Sequence, residues 1–415
     1  MNKLIFLLVL IVLTKPTFSQ TITKPIGCFA GTNGTNSAVL SHVEARGVLL
    51  TETWKNIEQT PGVYNFSTLI NKINTVKAAG LKYSLAIPAG AFGSPDWLID
   101  SLNAGYHSFV YQSQTLRLPL WWDSICEQKM TELITEIGIQ FASDTHLSHV
   151  YVSQMTTNGV EGHLNGVDMT TFAIDGFTNQ KWIDAARTTT YNFANAFPDK
   201  PIVFEVHEID YDTLVPATLM NGFFNDPSLC DRVGLGMWWI SGKTTYQPNL
   251  IDFIYHFEGD KYAQIIGRSD QNHRFKDSLY STIFSQAKHL NIRYIEPWPY
   301  EFQYHTYDSL ITDFNEWADS NFSPTQICAA VGINEKLTNK INEPSIYPNP
   351  TDNLIRIKID FNYQDIEAKL YDIYGKIVLT TMNKTELILN ELPKGMYLLE
   401  LKIDNKTFSK KIIKN

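Results

Sequence analysis

The chain has 415 residues, of which 44% are hydrophobic and 13% aromatic, enough for a large core and two or three domains. A formal charge of -9, with no basic patch before the C-terminal tail, excludes a nucleic-acid surface. The four cysteines, Cys28, Cys126, Cys230 and Cys328, lack CxxC or Cys/His spacing, so no structural zinc is expected, and no other metal or cofactor either.

Met1, Asn2 and Lys3 precede an apolar run over residues 4–13, then a short polar stretch with the small residues Thr17 and Ser19. That is the order of a signal peptide. The run is about half the roughly twenty residues a membrane-spanning helix needs, so no transmembrane anchor is expected. Residues 1–19 are therefore set aside from the fold.

From about Gly27 to Phe302, short β-branched or aromatic runs alternate with helical patterns, which implies a parallel sheet covered by helices. Eight candidate strands begin near Gly27, Gly47, Leu81, His149, Pro201, Val233, Tyr262 and Ile292. Between the second and third, Leu69, Ile70, Ile73 and Val76 fall at helical spacing and Gly80 stands where a helix ends. Further helical patterns fill 125–141 and 182–197. The class read from this is α/β, a (β/α)8 TIM barrel over residues 20–325, with a doubly wound open sheet as the alternative. Residues 93–118 read as a long loop after the third strand.

A polar connection at 326–343 follows, and then a different text. Ile355, Ile357 and Ile359 alternate with Arg356 and Lys358, the period of a half-buried strand. Similar short runs recur to residue 413, indicating a small all-β C-terminal sandwich at 344–415. Its Tyr347-Pro348-Asn349-Pro350, its Leu370-Tyr371-Asp372 with Gly375-Lys376, its Leu392-Pro393-Lys394-Gly395-Met396-Tyr397 and a basic end with Lys410, Lys411 and Lys414 resemble the sorting domain of the type IX secretion system. The resemblance implies an address: passage through the periplasm to the outer-membrane surface or beyond, with the secretion machinery as partner.

The barrel text carries a second resemblance. Thr53-Trp54-Lys55-Asn56-Ile57-Glu58 followed by Pro61-Gly62-Val63-Tyr64-Asn65-Phe66 resembles the segment after the second strand in clan A glycoside hydrolases, particularly those like β-galactosidases. Gly80-Leu81-Lys82-Tyr83, Pro88-Ala89-Gly90 and Pro95-Asp96-Trp97-Leu98 are similar to the third strand and its loop in the same families. A carbohydrate substrate and two carboxyl groups are what this implies, one a proton donor and one a nucleophile or base.

Glu161 lies beyond the fourth strand, where the resembled families place the acid/base; they usually set it directly after an asparagine, and Asn158 here is three residues earlier. Glu296, among Tyr294, Trp298 and Tyr300, is the candidate nucleophile, because a carboxyl at an aromatic strand end is desolvated and its titration perturbed. The family pattern puts that residue on strand seven, whereas Glu296 falls on the eighth. Asp270, Glu205 and Glu208 stay open as rivals; Glu205 and His207 share one face of the fifth strand and Glu208 points the other way. Trp54, Trp97, Trp122, Trp239 and Trp298, with Asn158, are candidate substrate contacts, since sugar rings stack on flat aromatic faces.

The expected function is a secreted glycoside hydrolase of polysaccharide-degrading type, retaining, with Glu161 and Glu296. A surface carbohydrate-binding or adhesive protein is the other reading. Export to an oxidising compartment permits two disulfides. Closure of a barrel would pair Cys28 with Cys328, leaving Cys126 for Cys230; four buried thiols are the alternative.

Overall fold

Each of the eight apolar runs forms a strand: β1 (Gly27–Cys28), β2 (Gly47–Thr51), β3 (Lys82–Ala86), β4 (Leu147–Tyr151), β5 (Ile202–Glu205), β6 (Val233–Ile240), β7 (Lys261–Ile265) and β8 (Tyr294–Glu296). They lie parallel in one eight-stranded sheet with sequential neighbours paired and β8 beside β1. Closure comes just past β1, where Ala30 N–H donates to Gly47 O and Leu49 N–H donates to Ala30 O, both at 2.8 Å. The sheet is therefore a barrel and not an open doubly wound layer. This computed structural model describes residues 20–328, 344–359, 363–372, 376–404 and 406–415. The signal peptide, most of the expected linker and Gly375 of the tail motif lie outside the described residues.

Helices cover the barrel: α1 (Ser67–Ala78), α2 (Ser124–Phe141), α3 (Asn179–Ala196), α4 (Leu214–Phe224), α5 (Pro248–His256), α6 (Thr282–His289) and α7 (Asp308–Asn321). In α1 the apolar spacing buries Leu69, Ile73 and Val76. Its end is a Schellman turn: Gly80 takes φ +76°, its N–H donates to Lys77 O, and Leu81 N–H donates to Val76 O.

Residues 93–118 hold more order than a loop. Tyr106–Tyr111 and Gln114–Pro119 form an antiparallel hairpin burying His107, Phe109 and Leu118. Its turn is Gln112-Ser113, both at positive φ without glycine. The usual hairpin signal is absent, so the sequence reads as a loop.

The disulfide expectation is overturned: Cys230 bonds Cys328, and Cys28 and Cys126 are free and buried. The strand Thr325–Cys328 pairs with Gln20–Thr23, which sets Cys328 opposite Gln20 and not beside Cys28. Cys28 faces α7 instead, its thiol 3.9 Å from Ile311 O.

The chain divides into two compact units, residues 1–331 and 332–415. The second has a three-stranded antiparallel sheet (Ser345–Tyr347, Leu354–Lys358, Glu386–Ile388) and a four-stranded one (Ile377–Met382, Ile366–Tyr371, Gly395–Ile403, Lys406–Lys414). Ile355, Ile357, Leu370, Leu387, Leu399 and Leu401 of both sheets share one core. The period-two pattern is what makes that core, because it turns alternate side chains inward.

Candidate active site

Alternation along the strands decides which side chains enter the barrel. Tyr83 and Leu85 face the helices while Ser84 and Ala86 face inward, and the same rule turns His149 and Tyr151, Glu205 and His207, Tyr262 and Gln264, and Tyr294 and Glu296 to the interior. The lower layer is aromatic: His149 packs on Tyr294 at 4.8 Å and on Tyr262 at 5.2 Å. Burial brings His149 down to about 3 and keeps it neutral.

Glu296 sits on this layer, fully buried. Tyr294 Oη donates to its Oε1 at 2.6 Å, Tyr151 Oη to Oε1 at 3.1 Å, and Gln264 Nε2 to Oε2 at 2.8 Å. Burial pushes its carboxyl up to about 7, against the pull of these donors.

A second cluster stands at the C-terminal ends of β4 and β5. The loop after β4 is set by Gly159 at φ +87°, where a Cβ would lie 2.1 Å from Ala89 O, so only glycine lets the loop rest on the one after β3. Asn158 Oδ1 accepts from Val160 N–H at 3.2 Å and Glu161 N–H at 2.9 Å, and Thr156 Oγ1 donates to Glu161 O at 2.6 Å. Asn158 thus orients Glu161 from three residues away. Glu161 Oε2 lies 3.6 Å from His163 Nε2 and 3.9 Å from His207 Nε2; the same His207 nitrogen lies 3.5 Å from Glu205 Oε1.

The network fixes the protons in this cluster. Gln247 Oε1 accepts from Glu208 N–H, so its amino group faces His207 Nδ1 at 2.9 Å and donates to it. His207 Nδ1 is therefore an acceptor, and the ring hydrogen is on Nε2, buried between the two carboxyls with no hydrogen-bond partner. Burial holds His207 well below the usual imidazole range, with His163 adding to the effect, and brings His163 itself to about 4. Both rings are neutral.

Glu205 receives backbone N–H donors on both oxygens, Gly162 at 2.5 Å and Trp238 at 3.0 Å. Burial is the main cause of raising Glu161 to about 7. Glu205 is also raised, by burial first and then by Glu161. Only Glu161 has an open edge, its side chain 26% exposed against none for Glu205 or Glu296. Beside it a cleft of about 950 Å³ runs over the loops that follow β4, β5 and β6, walled by His163, His207, Glu208 and Tyr246.

The other residues singled out from sequence are spread more widely. Trp239 packs on the His207 ring at 5.5 Å and donates to Val206 O. Trp298 donates to Ile265 O at the end of β7. Trp54 is fully buried against Glu58, which accepts from its Nε1, and Trp97 donates to Glu58 O. Trp122 joins Phe172, Phe177 and Trp182. None of those last three contacts reaches the Glu161 cluster. Asp270 is paired with Arg268 on the surface. His163, Gln247, Tyr151 and Gln264 were not singled out from sequence; inward period-two positions beside a strand-end carboxylate were the available signal for the last two.

Residues 345–415 match the family described as Secretion system C-terminal sorting domain. This tail directs the chain to the cell surface or beyond through the type IX system. No described helix is long and apolar enough to cross a membrane. No curated protein matches the sequence. Among solved structures, the catalytic domain of β-amylase from Paenibacillus polymyxa aligns over 71% of this chain and 99% of its own, at 10% identity and a TM-score of 0.52. A β-galactosidase from Rahnella sp. R3 aligns over 72% of this chain and 58% of its own (12% identity, TM-score 0.48), and xylanase 10B from Thermotoga maritima over 70% and 96% (10%, 0.43). These neighbours are glycoside hydrolases, and the β-amylase likeness is one of fold: a parallel eight-stranded barrel with covering helices.

Proposed function

We propose that the exported barrel hydrolyses glycosidic bonds by a retaining mechanism, with Glu161 as general acid/base and Glu296 as nucleophile. The observation that carries the reading is Glu161: an open-edged carboxyl at the end of β4, raised to about 7 by burial, beside a cleft on the side of the barrel where active sites are built. Glu205, whose oxygens both accept from backbone amides, lies on the other side of His207 Nε2. Glu296 is a further inward carboxyl, with side-chain donors that favour its charged form against burial, while Asp270 is paired on the surface. Protonation of the leaving oxygen by Glu161 and attack at the anomeric carbon by Glu296 give a glycosyl-enzyme; Glu161 then takes a proton from the water that resolves it.

The test is a glycan panel with the purified protein and its variants. Azide should restore Glu161→Ala to a product of retained configuration and Glu296→Ala to an inverted one. If Glu296→Gln keeps the parent rate while Glu205→Gln is dead, the nucleophile is reassigned.

A specific observation favours a second reading, a carbohydrate-binding surface protein. Where the resembled families keep their nucleophile, on strand seven, this chain has Gln264, and Glu296 has no exposed edge. A parent that binds glycans and cleaves none establishes that reading.

A further inference from the structure

The charge of the cleft separates glycans by their own charge. Its lining holds three carboxylates beyond the Glu161 cluster, Asp168, Glu208 and Asp210, and among the described residues no lysine or arginine. None of the three has an ion-pair partner among the described residues, and Glu208 Oε1 is buried without a hydrogen bond. His207, 4% exposed, lines the same cleft, with its Nε2–H turned between Glu161 and Glu205. A buried carboxylate oxygen without a partner is a group that a donor on a ligand satisfies.

The rim adds an aromatic face. Asp210 and Tyr211 occupy the turn between Ile209 and Asp212, both at positive φ (54° and 61°). Neither is glycine, and residues so held cost on the order of 1–3 kcal/mol each. That turn presents the Tyr211 ring, 91% exposed, at the edge of the cleft with the Asp210 carboxylate beside it. A flat ring stacks a sugar, and an adjacent carboxylate meets a cation on it.

Resting on the glycan reading above, we infer that this cleft selects amino sugars with free, protonated amines, and rejects uronic-acid and sulfated glycans. An anionic chain would bring like charges against Asp168, Glu208 and Asp210, whereas an ammonium pairs with them; specificity of this kind is built as much from repulsion as from attraction.

The experiment measures binding of the full mature chain, at mildly acidic pH and at low and high salt, to three oligosaccharides of equal length: glucosamine, N-acetylglucosamine and galacturonic acid. The glucosamine chain should bind tightest and lose affinity with salt, and the galacturonic chain should not bind. Glu208→Gln and Asp210→Asn should each weaken the glucosamine chain about fivefold and leave the N-acetylated chain unchanged. Tyr211→Ala should weaken both. Equal binding of the amine and its N-acetyl form, tighter binding of the galacturonic chain, or binding of none of the three overturns the inference. Charge selection with no bond cleaved would leave the inference standing and remove the hydrolase, whereas cleavage of a neutral glycan without amine preference would do the reverse.

Discussion

Gln264 Nε2 donates to Glu296 Oε2 at 2.8 Å, joining the inward positions of β7 and β8. The bond favours the charged form of a carboxyl that burial otherwise raises to about 7. In the proposed mechanism ionised Glu296 and protonated Glu161 are both needed for turnover, so kcat/KM should follow a narrow bell centred near neutral pH. In Gln264→Leu the limb that rises with pH should move up by roughly one unit, since a hydrogen bond to a charged group is worth about 1.5–3 kcal/mol. A pH–rate profile in which that limb stays in place would show that Gln264 does not tune Glu296.

The same group makes fold stability depend on pH. Glu296 is raised from 4.5 to about 7 in the folded state, so between those values the folded protein holds a proton that the unfolded chain has lost. That contribution is complete below about 4.5 and is lost as pH rises through about 7, on the order of 3 kcal/mol for a fully buried carboxyl. Glu296→Gln, which carries no titrating proton, should flatten the fall in urea midpoint between pH 5 and 8. An unchanged slope would mean that Glu296 is ionised throughout.

Cys230–Cys328 closes a long loop, with a sequence separation of 98, and ties the strand after α7 to the turn before β6. A loop of this size stabilises by about 4–5 kcal/mol in the chain-entropy view. Cys230→Ala with Cys328→Ala should lower Tm by several degrees, and a thiol reagent should find no reactive group in the native oxidised protein, because burial pushes Cys28 and Cys126 far above the usual thiol range. Native labelling at Cys28 would contradict this.

The barrel strands were legible because parallel buried strands write themselves as apolar runs, and all eight starts were recovered in order. The hairpin at Tyr106–Tyr111 was not, since its turn residues carry no glycine, and neither was the disulfide, whose geometry depends on an edge pairing of Gln20 with Cys328 that no local pattern announces. At the candidate site the strand-end glutamates could be read by position. The shared face of Glu205 and His207 could be read from the period of the strand, whereas Gln247, which sets the His207 tautomer, could not, because it stands 40 residues away.

The sorting tail is a unit with its own core, and the barrel keeps its own. Deleting residues 342–415 should leave the protein in the periplasm with barrel stability unchanged by circular dichroism. Appearance of the truncated protein outside its native cell would contradict the role of the tail as the address.

The role of Glu161 as proton donor is tested most directly by the dependence of rate on leaving group. With aryl glycosides of graded phenol acidity, the parent should show little dependence, because Glu161 protonates poor leaving groups. Glu161→Gln should keep near-parent rates on the most acidic phenols and lose about 10²–10⁴-fold on the least acidic. An equal loss across the whole series, or a parent that cleaves none of the sugars offered, would contradict it.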